Sequence, residues 1–154
     1  MSAQAQPQAP ARVLLEDRLS GRLGEVFGLA ANETDAWALA TTDRARLGNA
    51  LLSRVRDEQL LAPADVQRVI PRRTWLRRKA GQPLSPTEFD GLYRLVRLQA
   101  LAELVFGDAA QAARWLRQPK QRLNGATPLY FAADALGVEA FEAWLHEIDE
   151  GFLA

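Results

Sequence analysis

Apolar side chains recur along this chain at helical spacing, and no stretch keeps up the two-residue alternation of a strand. The strongest run begins at Ser85. Ser85 with Glu88 three positions on makes a capping box, and Pro86 occupies the first helical position. The helix they open is expected to reach Phe106, about 31 Å at about 1.5 Å per residue. Its apolar positions are one-sided early, at Phe89, Leu92 and Val96, and cover most of the circumference from Leu95 to Phe106. That change predicts a core helix joining two halves of the chain.

The flanking segments are helical too. Val13 to Leu29 places Leu15, Leu19, Val26 and Phe27 on one side, although Gly21 and Gly24 each weaken it by up to about 1 kcal/mol. Asn32 to Thr42 is ambiguous. Thr42 and Asp43 can cap a helix through Asp57 in which Leu47, Leu51 and Val55 recur every four residues. Ala64 to Val69 predicts a short helix that Pro71 must end, because proline disfavours α geometry at Ile70, and another helix opens at Pro71 or Arg72. Beyond the long helix, Gly107 is a stop and Asp108 a cap for a helix carrying Ala109, Ala112, Ala113 and Leu116, which Pro119 ends. Thr127 and Pro128 then open a helix that Gly137 is expected to close. The last helix, Val138 to Glu150, sets Phe141, Trp144, Leu145 and Ile148 on one side. The class is all α. Residues 1–10 hold no charge and two prolines, which predicts a disordered leader without the features of a signal peptide.

Length and composition add little: 154 residues suffice for one domain, or two very small ones sharing a core, and 48% hydrophobic with 25% charged residues is ordinary for a globular protein. Charge changes the picture more. The formal net charge is zero, yet Arg68, Arg72, Arg73, Arg77, Arg78 and Lys79 fall in twelve positions, and no acid occurs from Val66 to Thr87. Two short helices around a tight turn, the second cationic, have the outline of a helix-turn-helix. Arg72, Arg73, Thr74, Arg77 and Arg78 would then face the DNA major groove, and Arg68 and Lys79 would help to hold phosphates. The alternative is that the cations solvate a helix face. Trp75 and Leu76 either pin the cationic helix to the body or belong to ordinary core. At the other end, Glu139, Glu142, Glu147, Asp149 and Glu150 stand without a Lys or Arg from Val138 to Ala154, which suggests a second surface that repels nucleic acid.

Catalysis has little to work with. His146 is the only histidine and there are no cysteines, so neither a Ser-His-Asp arrangement nor a metal-binding cluster can be argued. No glycine-rich phosphate loop is present, since L-N-G-A-T-P-L reads as a turn before a capped helix. No window approaches the roughly 20 apolar residues of a transmembrane helix. These features predict a soluble cytoplasmic binding protein without cofactor or metal, and not an enzyme.

Several spaced motifs then point one way. P-R-R-T-x-x-x-R from Pro71, L-S-P-x-E-x-D from Leu84 and R-L-x-R-L from Arg94 are followed by AELVFGD at 102–108, ARWLRQP at 113–119, LNGATPL at 123–129, and a final Gly151-Phe152. Together, over about residues 60–154, they resemble the Xre/MbcA/ParS antitoxin family. The resemblance implies a Cro-like helix-turn-helix bundle over 11–84, a connecting helix over 85–106 and a toxin-binding domain over 107–154. It also implies repression of the pair's own promoter, an operator bound as a homodimer, and a RES-domain toxin partner that consumes NAD or transfers ADP-ribose from it. The toxin's active site would be covered by the C-terminal end, which assigns toxin contact to Trp144, Leu145, Ile148, Glu150, Gly151, Phe152, Leu153 and Ala154, with Trp115, Leu123 and Leu129 shaping the supporting domain. The segment Phe131 to Val138, FAADALGV, departs from the more polar L-L-D-T-x-x-G of similar proteins. A plain transcriptional regulator without a toxin, or a helical adaptor without DNA, are the other readings.

Overall fold

The computed structural model describes residues 14–29, 40–58, 60–132 and 134–151. The expected leader, Val13, most of the ambiguous 32–42 stretch, and Phe152, Leu153 and Ala154 lie outside them. Among the described residues every regular element is helical: α1 (Leu15–Phe27), α2 (Arg44–Asp57), α3 (Pro63–Val69), α4 (Arg72–Lys79), α5 (Pro86–Phe106), α6 (Ala109–Arg117), a single 3₁₀ turn (Gln121–Leu123), α7 (Pro128–Phe131) and α8 (Ala135–Asp149).

Local chemistry sets most of these boundaries. Asp43 caps α2 by accepting from the Ala45 N–H, and Asp108 caps α6 by accepting from the Ala110 N–H. Both halves of the capping box at α5 are made: Ser85 Oγ accepts from the Glu88 N–H at 3.2 Å, and Glu88 accepts from the Ser85 N–H at 3.1 Å. Gly107 ends α5 in the left-handed conformation, φ +70°, where a side chain would be strained. Between α3 and α4, Ile70 is extended at φ −125°, ψ 116°, as a residue before proline must be, and the break falls where Pro71 puts it.

Helix α5 is the hub, and α1, α2, α3, α6 and α8 all pack on it. Its Leu92, Leu98 and Leu101 are fully buried. One continuous core includes Leu19, Leu23, Leu47, Leu51 and Ile70 on one side of α5 and Leu116, Phe141 and Leu145 on another. At about 1.5–3 kcal/mol for each fully buried leucine, this shared interior is what holds the two halves together. Where α5 crosses α3, Gly91 leaves the room that Val69 occupies: a Cβ there would run into the Val69 methyls. A buried carboxylate adds a polar tie, with Asp65 of α3 accepting from Arg117 of α6.

One expected boundary is wrong. The helix opened by Thr127 and Pro128 is not closed by Gly137 but ends at Phe131, and a new helix starts at Ala135, three residues before the expected Val138. Asp134 makes the difference by accepting from the Gly137 N–H at 2.8 Å, so Gly137 lies in the first turn of α8. It is glycine for a packing reason, since its Cα faces the Phe131 carbonyl and any Cβ would collide with that backbone atom.

Candidate functional site

Helix α4 buries none of its residues. Trp75 packs against the core from a half-buried position, whereas Leu76 is 53% exposed. Leu76 is therefore neither a pin nor core, because it lies on the side of α4 away from Trp75 and Arg78, which face the body. Arg72, Arg73, Arg77 and Lys79 are exposed. None of the four is in an ion pair among the described residues; Arg77 has only a long hydrogen bond to Thr74 Oγ1, 3.4 Å. Thr74 is half-buried. Arg68, at the end of α3, is exposed and lies 5.9 Å from the centre of the Tyr130 ring.

Arg78 differs from its neighbours. It grips Glu88 with two hydrogen bonds of 2.8 Å, Nε to Oε2 and Nη2 to Oε1, and the paired side chains are only 18% and 13% exposed. The hydrogen bond from Arg78 holds the Glu88 carboxyl below its ordinary value against the opposing effect of burial, and the same bond raises the guanidinium. Because Glu88 also caps α5, this pair fixes the angle at which α4 leaves the body. Arg78 is thus braced inward, and Arg68, Arg72, Arg73, Arg77 and Lys79 form the outward cationic surface.

The acids of α8 are placed quite differently. Arg97 of α5 donates to Glu142 from Nε at 2.6 Å and reaches Glu16 of α1 at 3.3 Å. Burial alone would lower the Arg97 guanidinium, but the hydrogen bond and charge of Glu142 outweigh it and hold the group well above its ordinary value. Asp149 lies 3.9 Å from Arg18, and Glu147 is 3.5 Å from Arg122. His146 meets Glu16 at 2.8 Å. The acidic stretch is largely neutralised by arginines from elsewhere in the chain, so the repelling surface inferred from linear charge shrinks to the exposed Glu139 and Glu150.

Residues expected at a toxin interface fall into three groups. Trp144 and Leu145 are interior, 6% and 0% exposed. Trp144 packs edge-on to Trp115 at 5.0 Å and against Phe141 at 6.0 Å, with the Arg122 guanidinium 4.8 Å above its ring. Trp115 in turn meets Phe106 and Phe141 and carries Lys120 over its face at 5.2 Å. Ile148 is half-buried, and Glu150 and Gly151 are exposed where the helix ends. Sequence reasoning missed Tyr130, Phe131 and Leu136, all of them exposed; Tyr130 and Phe131 line an open depression together with Arg68 and Asp134. The signal was available: an Asp three residues before Gly137 reads as a cap, and a cap there starts the last helix at Ala135.

Among the described residues no group of His, Asp or Glu could hold a metal ion, and no helix is long and apolar enough to cross a membrane.

An all-helical protein with a cationic helix standing out from its surface, and an aromatic-cored helical unit packed on the same hub, is the class these features define. Comparison with known proteins narrows it. Residues 101–151 match the family described as the antitoxin Xre/MbcA/ParS C-terminal toxin-binding domain. The chain is also 37% identical over 102 residues, 66% of its length, to the antitoxin Xre of Pseudomonas putida, and it spans 64% of that relative's length. By both comparisons the chain is similar to antitoxins of the Xre/MbcA/ParS family.

Proposed function

We propose that this protein is the antitoxin of a toxin-antitoxin pair, acting by binding and not by catalysis. Its α5–α8 unit holds a RES-domain, NAD-consuming toxin and blocks the toxin's active site. Its α3–α4 segment binds the operator and represses the pair's own promoter, in the cytoplasm and as a homodimer. The observation that carries the reading is the coexistence, in one chain, of a toxin-binding-domain match over 101–151 and a helix without a fully buried residue, four of whose cations make no ion pair among the described residues.

Each surface has a physical role under this reading. Arg72, Arg73, Arg77 and Lys79, with Arg68 beside them, are placed to neutralise phosphates, while Thr74 supplies a hydroxyl on the same helix. The Arg78–Glu88 pair sets the pose of α4 from behind. α3, the extended Ile70–Pro71 link and α4 serve as a helix-turn-helix, whose operator is an inverted repeat if the chain binds as a dimer. On the toxin side, Trp144 and Leu145 support the surface from inside, and Ile148, Glu150, Gly151 and the three residues that follow approach the toxin's pocket.

The test is growth and cellular NAD when the neighbouring gene is induced alone, with this protein, and with this protein cut after Glu150. Depletion by the neighbour, reversed only by the full chain, supports the reading and the role of residues 151–154. Rescue by the truncated chain moves inhibition to the body of the domain. A neighbour harmless on its own sinks the toxin half and leaves a plain regulator.

A further inference from the structure

Of the large hydrophobic side chains exposed among the described residues, three fall within seven positions: Tyr130 at 64%, Phe131 at 41% and Leu136 at 80%. They crown the corner between α7 and α8. Tyr130 and Phe131 form an edge-to-face pair at 6.0 Å, and the Phe131 ring continues inward to Phe141 at 6.4 Å, so the exposed patch is an outward extension of the aromatic core. Hydrogen bonds hold the backbone at Tyr130 and at Gly137. Thr127 accepts from the Tyr130 N–H, Asp134 accepts from the Gly137 N–H, and the Phe131 carbonyl abuts Gly137. Rigid aromatic and aliphatic side chains held ready at a surface lose little freedom on association, which is the property of interface anchors.

Position selects the occupant. The corner lies within residues 101–151, the stretch that matches a toxin-binding domain. Arg68 leans over Tyr130 and is in no ion pair among the described residues, while Asp134 accepts from the Gly137 N–H through one carboxylate oxygen. Duplex DNA would leave Phe131 and Leu136 without apolar partners. We infer that the Tyr130–Phe131–Leu136 corner is the anchoring surface for the toxin, and that the toxin meets it with an apolar pocket flanked by a carboxylate that pairs with Arg68.

This deepens the toxin-binding reading and rests on it. It places the main anchor on the body of the domain, away from the C-terminal end, and it makes Arg68 common to the toxin-binding and cationic surfaces.

The test measures binding of the purified product of the adjacent gene to the full chain, using Tyr130→Ala, Leu136→Glu and Tyr130→Phe, with Leu14→Glu as a control for an exposed leucine outside the patch. Tyr130→Ala and Leu136→Glu are each expected to weaken binding by about 30-fold or more, and Tyr130→Phe and Leu14→Glu by less than about threefold. The altered side chains are exposed, so helical circular dichroism and the urea midpoint should not move. Binding by the unaltered chain together with undiminished binding by Leu136→Glu overturns the anchor and leaves the antitoxin reading intact. Failure of the unaltered chain to bind overturns both. A change in self-association without a change in partner binding assigns the corner to a second copy and likewise overturns the inference.

Discussion

Helix α4 and helix α8 both carry dense charge of one sign, and they use it in opposite ways. In α4, Arg78 is the one cation seen in an ion pair among the described residues, and the helix has no buried residue. In α8, Glu142, Glu147 and Asp149 each approach an arginine of another segment, and the same helix buries Val138, Phe141, Trp144 and Leu145. Charge on a helix that is built into a core is drawn into the protein's own pairings, because neighbouring elements bring counter-ions within reach. A helix that stands off from the core keeps its charge available, and an unpaired cationic surface is what a polyanion requires.

The largest effects should separate the two helices by stability. Trp144→Ala removes a buried indole from the Trp115–Phe141 cluster and is expected to cost about 3–5 kcal/mol in urea unfolding, whereas Leu76→Ala in α4 should stay within about 0.5 kcal/mol. A small loss at Trp144 would break the contrast. Next in size, Gly137→Ala should cost about 1–3 kcal/mol as its methyl meets the Phe131 carbonyl, and a stable variant would mean that the α7–α8 corner can open.

Within α4 the comparison can be sharpened residue by residue. Arg77→Ala should leave the unfolding midpoint unchanged and flatten the salt dependence of operator binding by about one unit, as expected for one lost phosphate contact. Arg78→Ala should do the reverse first, lowering the unfolding midpoint through loss of the pair with Glu88. Equal effects from both arginines would mean that Arg78 leaves Glu88 when DNA binds. The smallest effect is in pH. Folding depresses the Glu88 carboxyl, so its contribution to stability is complete above the ordinary carboxylate range and is lost as pH falls through the lowered value. The acid limb of a stability profile should therefore be shallower in Arg78→Ala than in the unaltered chain.

How far the chain could be read in advance depended on the range of the interaction. The cap at Ser85, the stop at Gly107, the Asp43 and Asp108 caps and the break at Pro71 involve groups within a few residues of one another, and each falls where the sequence put it. The six cations were equally legible as a group, but only packing distinguishes Arg78, since its partner Glu88 lies ten residues away across a turn. At the α7–α8 corner two helices meeting at Gly137 were expected, and the Asp134 cap moves the break back to between Phe131 and Ala135. The family resemblance made Trp144 and Leu145 candidate contact residues, although an apolar helix face can meet either a partner or the protein's own core. Trp115, Phe106 and Phe141 already occupy that face.

By itself the sequence determined the helical class, most helix ends, the place of the hub helix and the existence of a concentrated cationic segment, because periodicity, caps and charge runs act locally along the backbone. Only the tertiary structure decided which charges are consumed within the molecule, which aromatics are interior, and that Tyr130 and Phe131 emerge together beside Arg68. Those outcomes depend on contacts between residues tens of positions apart, as with Arg97 and Glu142 or Arg68 and Tyr130, and only packing on α5 brings such residues together.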